Sequence, residues 1–395
     1  MANGMDPAAR YRGPAFFSQG IRPFFFGASL WAAIAMLVWI GFLSGSIPIP
    51  GNFGAVDWHI HSLLFGYVGA VIGGFLLTAI PNWTGRFPLS GWRLAGLFAF
   101  WAAGRLVLIQ PWSLPAVMVA AIDLSFPILL IAAATRELIA GDNRRNLRVL
   151  ALVVLFGASN ALFHWEVWRD GAADLSVRLG LSSVLLLILL VGGRVVPSFT
   201  RNWLAKRDAT RLPAPFGRFD MVTIALSALA LLIWTSVPDA FWTGTILVIA
   251  GLLNSIRIGR WAGGRTLGEP LVAILHLGFA FVPLGFLATG MSVMVPGSVP
   301  ANAALHSWTA GAIGLMTMAI MTRASLGHTG GALIADRTIT AIYVLLFASS
   351  VMRMMSPYAN NGTMLLNGAA GCWIVGFCLF IARFVKGFFL VSSIR

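Results

Sequence analysis

The 395 residues are 58% hydrophobic and only 10% charged, with a mean hydropathy of +0.85, whereas a soluble domain carries about 25% charged residues. A net charge of +14 would point to nucleic acid in a soluble chain, but here the basic residues are scattered over short segments between apolar runs and form no binding face. A soluble globular enzyme and a nucleic-acid-binding protein are both excluded.

The apolar runs are about 20 residues long, the length a helix needs to cross ~30 Å of hydrocarbon, and they lack the two-residue alternation of barrel strands. In chain order the predicted membrane helices are Phe24–Leu43, Trp58–Ile80, Trp92–Ile109, Pro115–Leu138, Leu147–Trp168 and Ser176–Pro197. Phe219–Thr235, Phe241–Trp261, Glu269–Thr289, Ala301–Thr322, Arg337–Met355 and Thr363–Val385 complete the set. The reading is an all-α polytopic membrane protein of about twelve transmembrane helices, with residues 1–395 packed as a single domain because no loop is long enough for a soluble one. The first run is too long for the short apolar core of a cleavable signal peptide. Of the 27 Lys and Arg residues, 22 fall at the two ends and in alternate loops, so the positive-inside rule puts both termini in the cytoplasm.

A weak repeat runs through the chain. Gly73-Gly74 to Thr84-Gly-Arg86 closes the second helix, Gly192-Gly193-Arg-Val-Val-Pro-Ser-Phe-Thr200-Arg201 the sixth, and Gly314 to Thr322-Arg323 the tenth. These endings are one block of four helices apart, which suggests three four-helix repeats; a shared preference of Thr and Arg for cytoplasmic helix ends is the plainer explanation.

The six histidines are the most informative residues. His59 and His61 open the second helix, His306 opens the tenth, and His164 lies near the outer end of the fifth, so four imidazoles fall in the outer third of the membrane. His276 lies deeper, on the ninth helix, and His328 at the cytoplasmic side. Ionisable groups within a membrane are costly and usually face a bundle interior, where they hold ions or cofactors, and neutral imidazole suits copper and haem iron. His59 and His61 point about 200° apart around a helix, so one regular helix cannot aim both at one iron. His61 and His306 sit at similar depth in the first and third repeats and are expected to ligate one haem between the second and tenth helices. His164 and His59, with His276, are the candidates for a second, copper site; the rival arrangement pairs His61 or His306 with His59 or His164 at copper and leaves the haem five-coordinate.

Arg105, Arg169, Arg178 and Arg353 lie toward the outer face, against the general bias. Arg105 and Arg353 are expected to contact an anionic cofactor group such as a haem propionate; snorkelling to membrane lipid phosphate is the competing reading. Asp57, Asp123 and Glu166 are candidates to orient a histidine or carry protons, and Asp123 is the only carboxylate well inside an apolar run.

These segments resemble the NnrS family of haem- and copper-containing membrane proteins. The resemblance is carried by Gly20-Ile-Arg-Pro-Phe-Phe25, Trp58-His-Ile-His61, Gly74 through Trp92, Leu162-Phe-His164, Gly193 through Trp203, Leu275-His276-Leu-Gly, and Leu305-His306 continuing to Gly330. It implies a bacterial inner-membrane protein with haem, of b type, and copper, acting on nitric oxide or its metal adducts in nitrosative-stress tolerance and denitrification. The histidine-bearing motifs of the family coincide with His59, His61, His164, His276, His306 and His328. The family pattern has a glutamate after the second histidine of helix two, where this chain has Ser62.

Two other functions compete. The chain is similar in helix number, and in histidines on helices two and ten, to the haem-copper oxidases and their nitric oxide reductase relatives. However, helices six and seven carry no histidine, and the chain has no His-His pair. A secondary transporter is the third reading, suggested by the repeats and intramembrane Pro and Gly. Neither the electron donor nor enzyme status is legible.

Overall fold

The computed structural model describes residues 13–51, 53–109, 114–207, 211–328 and 332–390. Among these residues the fold is all-helical, without strands, and has twelve long helices. They are α1 Ile21–Leu43, α2 Ala55–Thr84, α3 Trp92–Val107, α4 Ala116–Ala140, α5 Leu147–Asp170 and α6 Leu175–Ala205. The remainder are α7 Arg218–Ser236, α8 Phe241–Gly259, α9 Pro270–Met294, α10 Ala301–His328, α11 Arg337–Met355 and α12 Gly362–Phe389. Eleven are long and apolar enough to cross a membrane. The exception is α3, whose 16 residues rise roughly 24 Å, short of the full hydrocarbon thickness. Large apolar side chains cover the outward faces, for example Val117 on α4 and Met364 on α12, as suits helices solvated by lipid.

The helix ends depart from the sequence expectation in one consistent way. α2, α6 and α10 run past their apolar stretches to Thr84, Ala205 and His328, and Pro81, one residue beyond the expected end of the second helix at Ile80, and Pro197, the expected end of the sixth, lie inside them. At each of these ends a threonine hydroxyl donates to the carbonyl four residues back: Thr84 to Ile80 at 2.8 Å, Thr200 to Val196 at 2.8 Å and Thr322 to Met318 at 2.9 Å. The helix thus continues into the polar layer with its own side chains satisfied.

The same three helices each contain a segment wound with i→i+5 hydrogen bonds: Ser62–Val68 in α2, Ile188–Gly192 in α6 and Ser307–Ile313 in α10. The wider turn disturbs the backbone ladder and leaves carbonyls in need of donors. Neighbouring side chains supply them. Trp31 Nε1 donates to the Ser62 carbonyl at 2.8 Å and Trp101 Nε1 to that of Gly66 at 3.0 Å. Arg257 Nη1 donates to Leu189 at 3.2 Å, and Ser350 Oγ to Ala310 at 2.9 Å. Recurrence in the second, sixth and tenth helices supports the four-helix repeat.

The chain divides into two compact units. One runs to Gly180 and takes in the stretches 324–332 and from Phe377 onward. In it α1 packs on α2, α3 on α4 and α4 on α5. Buried Arg22 donates to the carbonyl of Ala15 and to those of Phe388 and Leu390 at the end of α12, at 3.2, 3.4 and 3.2 Å, where unpaired helix carbonyls favour a cation.

The other unit comprises Leu181–Arg323 and Leu333–Gly376. Its tightest contact is α8 on α9, where a Cβ on Gly244 would come within 2.7 Å of the Gly290 carbonyl; only small residues let the backbones approach so closely. Trp308 of α10 is fully buried, donates from Nε1 to the Val282 carbonyl at 3.1 Å and lies edge-on to Trp234 and Phe286. A Cβ on Gly285 would sit 2.2 Å from its indole. Gly285→Ala is therefore expected to overpack this core by about 1–3 kcal/mol and to lower the melting temperature of the solubilised protein. Gly371→Ala, where nothing lies within 4 Å of the added Cβ, is the control. Equal melting of the two variants would refute this packing of Trp308.

Candidate metal centre

Within the first unit, four helices converge on one carboxylate. Gly54, in an extended conformation, starts α2, and Trp58 anchors its inward face: it is buried, and its Nε1 donates to the Leu108 carbonyl at 3.0 Å. His61, three residues on, shares that face and is fully buried. His59 points the other way, as the ~200° offset requires, and stacks on Trp39 with ring centroids 4.3 Å apart. α3 contributes Arg105 and α4 contributes Asp123, both buried. The two helices touch closely here, since a Cβ on Gly104 would fall 2.8 Å from Asp123 Oδ1. α5 contributes Asn160 and His164, four residues apart on one helix face and both buried.

The two oxygens of Asp123 have separate partners. Oδ1 receives the Arg105 guanidinium in a short ion pair. Oδ2 lies 3.1 Å from His61 Nε2, 3.1 Å from His164 Nε2 and 2.8 Å from the donating Asn160 amide. Asn160 Oδ1 in turn accepts from His61 Nε2 at 2.9 Å. With Nε2–H committed to these acceptors, His61 Nδ1 is buried without a hydrogen-bond partner, as are Nε and Nη1 of Arg105. The imidazoles lie in an apolar shell: Phe53 is 5.3 Å from the His61 ring and 5.5 Å from that of His164, and Phe163 is 5.1 Å from His61. Gly66 admits the arginine, because a Cβ there would stand 2.2 Å from Arg105 Nη1.

His61, Asp123 and His164 offer one ligand atom each, all within 4.8 Å of one another, and form the one such metal-ligand group among the described residues. Ligands about 2 Å from an ion stand roughly 3–4 Å apart, so an ion could take the place of the two Nε2 protons with little movement. Two imidazoles and a carboxylate suit a first-row transition ion, so the donor set fits a metal. Beside Asp123, Arg105 and Asn160 lies a cavity of about 20 Å³ walled mainly by Phe65, Phe126 and Phe156, enough for one water-sized molecule.

The remaining expected residues are placed as follows. His306 lies in the second unit, with Nδ1 donating to the Asn302 carbonyl of its own helix at 2.6 Å. Arg353, half-buried, acts on it electrostatically and donates to Ser356 Oγ at 3.1 Å. His306 and His61 each immediately precede an i→i+5 segment, in α10 and α2. His61, expected at a haem with His306, meets His164 and Asp123 within its own unit. Arg105 meets Asp123, since a carboxylate deep in an apolar helix needs a cation beside it. His276 stands in the second unit against Thr200, outside any metal-ligand group among the described residues. His328 ends α10.

Of the three carboxylates expected to serve the histidines, only Asp123 does. Glu166 accepts from the backbone N–H groups of Asp174, Leu175 and Ser176 at 3.0–3.2 Å and caps α6, while Asp57 accepts from Ala173 N–H at 3.2 Å. Asn160 was not anticipated, although its spacing of four from His164 was the available signal. The profile of the family described as NnrS protein matches residues 15–390. No curated protein matches the chain.

Proposed function

The chain belongs to the NnrS family, and from that premise we propose that it is a haem- and copper-binding membrane protein that protects against nitric oxide, with copper held by His61, His164 and Asp123. The observation carrying this reading is the convergence of two buried imidazoles on one carboxylate oxygen, each 3.1 Å away, inside an apolar shell. Because the negative charge of Asp123 is already met by Arg105, the charge of a bound copper ion would be only partly compensated in the low-dielectric interior.

His306 is the proposed haem ligand. Its Nδ1 donates to the Asn302 carbonyl, which fixes the ring and leaves Nε2 as the nitrogen that would hold the iron, and Arg353 would be the cation for a propionate. A bound haem would supply an iron centre with affinity for nitric oxide. Asn160 and Arg105 fix the carboxylate, the aromatic shell keeps bulk water from the imidazoles, and the small cavity beside Asp123 takes one water-sized molecule. The basic alternate loops support cytoplasmic termini in an inner membrane.

Metal analysis and optical spectra of the purified protein test the reading. His164→Ala is expected to lower copper content more than tenfold with the haem spectrum kept, and His306→Ala to lose the haem with copper kept. Full copper retention in His164→Ala would overturn the assigned centre, and a wild-type protein without haem or copper would overturn the function.

A further inference from the structure

The second unit holds a second buried imidazole with an unfilled valence, at the adjoining ends of α8 and α9. His276 is 8% exposed, and its Nε2 lies 2.7 Å from Thr200 Oγ1. That hydroxyl has one proton, which it donates to the Val196 carbonyl at 2.8 Å; toward His276 it must accept. Nε2 therefore carries the imidazole hydrogen and Nδ1 is a bare lone pair. Nδ1 is buried, has no partner, and belongs to a residue lining a cavity of about 430 Å³. A buried acceptor left unpaired costs about 1–3 kcal/mol, so the cavity is built for a ligand that brings a hydrogen-bond donor.

The walls narrow the ligand further. Ile258, Ala262, Ala273 and Leu277 line the cavity, with Leu267, Arg211 and Arg265 also at its edge. Leu267 and Leu277 are exposed, as are Arg211 and Arg265, so its mouth sets apolar side chains beside two cations at the ends of membrane-length helices. The volume matches a ring-sized ligand. Gly263 packs against this nitrogen without a side chain to cover it, since a Cβ there would stand 2.5 Å from His276 Nδ1. Lipid phosphodiesters carry no donor on the phosphate, and simple anions would leave the apolar walls bare.

We propose that this cavity binds a membrane quinol, with one ring hydroxyl donating to His276 Nδ1, the ring against the apolar walls, and Arg211 and Arg265 available to the second oxygen. The site is independent of the metal centre, and its test needs neither metal nor nitric oxide. Binding of decylubiquinol to the full-length protein in nanodiscs is read from quenching of tryptophan fluorescence; Trp261 lies 6.4 Å from the His276 ring. Saturable binding is expected, weakened at least tenfold by His276→Phe and by Gly263→Val, each compared on protein with wild-type helix content at a temperature below its own melting transition. The dimethyl ether of the same quinol, which has no donor, is expected to bind at least tenfold more weakly than the quinol. Wild-type affinity in both variants, equal affinity for the ether, or displacement of the quinol by stoichiometric phosphatidylglycerol would each overturn the proposal, the last in favour of a lipid-headgroup site.

Discussion

Asp123→Leu is expected to be the most damaging single substitution in the first unit. It removes the anion from Arg105, which is 5% exposed, and the shared acceptor of His61, His164 and Asn160. Breaking a buried ion pair from one side costs about 3–5 kcal/mol, a large part of the ~5–15 kcal/mol that holds a typical domain folded. The solubilised variant should melt many degrees lower and be recovered in poor yield. Adding Arg105→Met removes the stranded cation, and since apolar replacements for a buried pair are often neutral, the double variant should regain most of the lost stability. Copper should stay absent, because the carboxylate ligand is gone. Melting curves and metal content together separate the two roles. Failure of Arg105→Met to restore melting would show that the ion pair is not what Asp123 contributes to the fold.

Asp220→Leu is expected to destabilise the second unit by a comparable amount, through two losses at once. Asp220 Oδ1 accepts from Nε of Arg257 at 3.0 Å, and Oδ2 lies 3.4 Å from Arg260 Nη1. Arg257 is fully buried, so its stranding again costs about 3–5 kcal/mol. Asp220 Oδ2 also accepts from the Gly217 N–H at the start of α7, at 3.0 Å, and loss of a cap costs about 1 kcal/mol more. Arg257→Met in the same chain should recover the first loss and not the second. Copper content per folded molecule should be unchanged throughout. A fall in copper matching that of Asp123→Leu would mean that the metal is not confined to the His61 cluster.

The sequence made some of this legible and hid the rest for identifiable reasons. Apolar runs near the membrane thickness located every helix, because hydropathy is a one-dimensional property. The same logic ends the second helix at Ile80 and the sixth at Pro197, whereas both continue, to Thr84 and Ala205, with a proline inside each. The opposed directions of His59 and His61 followed from helical geometry alone, and Asp123 stood out as the lone carboxylate in an apolar run. Depth gave four histidines at one level but not their azimuth, so His61 was matched with His306 by repeat position. Its contact with His164 depends on which helices are neighbours, and hydropathy does not encode that. Arg105 and Asp123 lie on consecutive antiparallel helices, so their pairing could have been read; the scarcity of outer arginines drew attention to a cofactor instead.

The i→i+5 segment after His61 acts as an angular offset in α2. One additional residue in the ladder turns everything on its outer side by roughly 100° relative to an uninterrupted α-helix. Ser62–Val68 contains no metal ligand, yet it determines the compass bearing of the imidazole before it. One residue fewer would let those seven residues close to a plain α-helix of about the same angular sweep and leave His61 near its present bearing, whereas the same deletion in the regular turns that follow would swing it away from the carboxylate by about 100°. Tolerance to deletion in α2 is therefore set by phase: the wide turn can absorb the loss of one residue, and a gap in the regular turns is a change of site even where no site residue is lost.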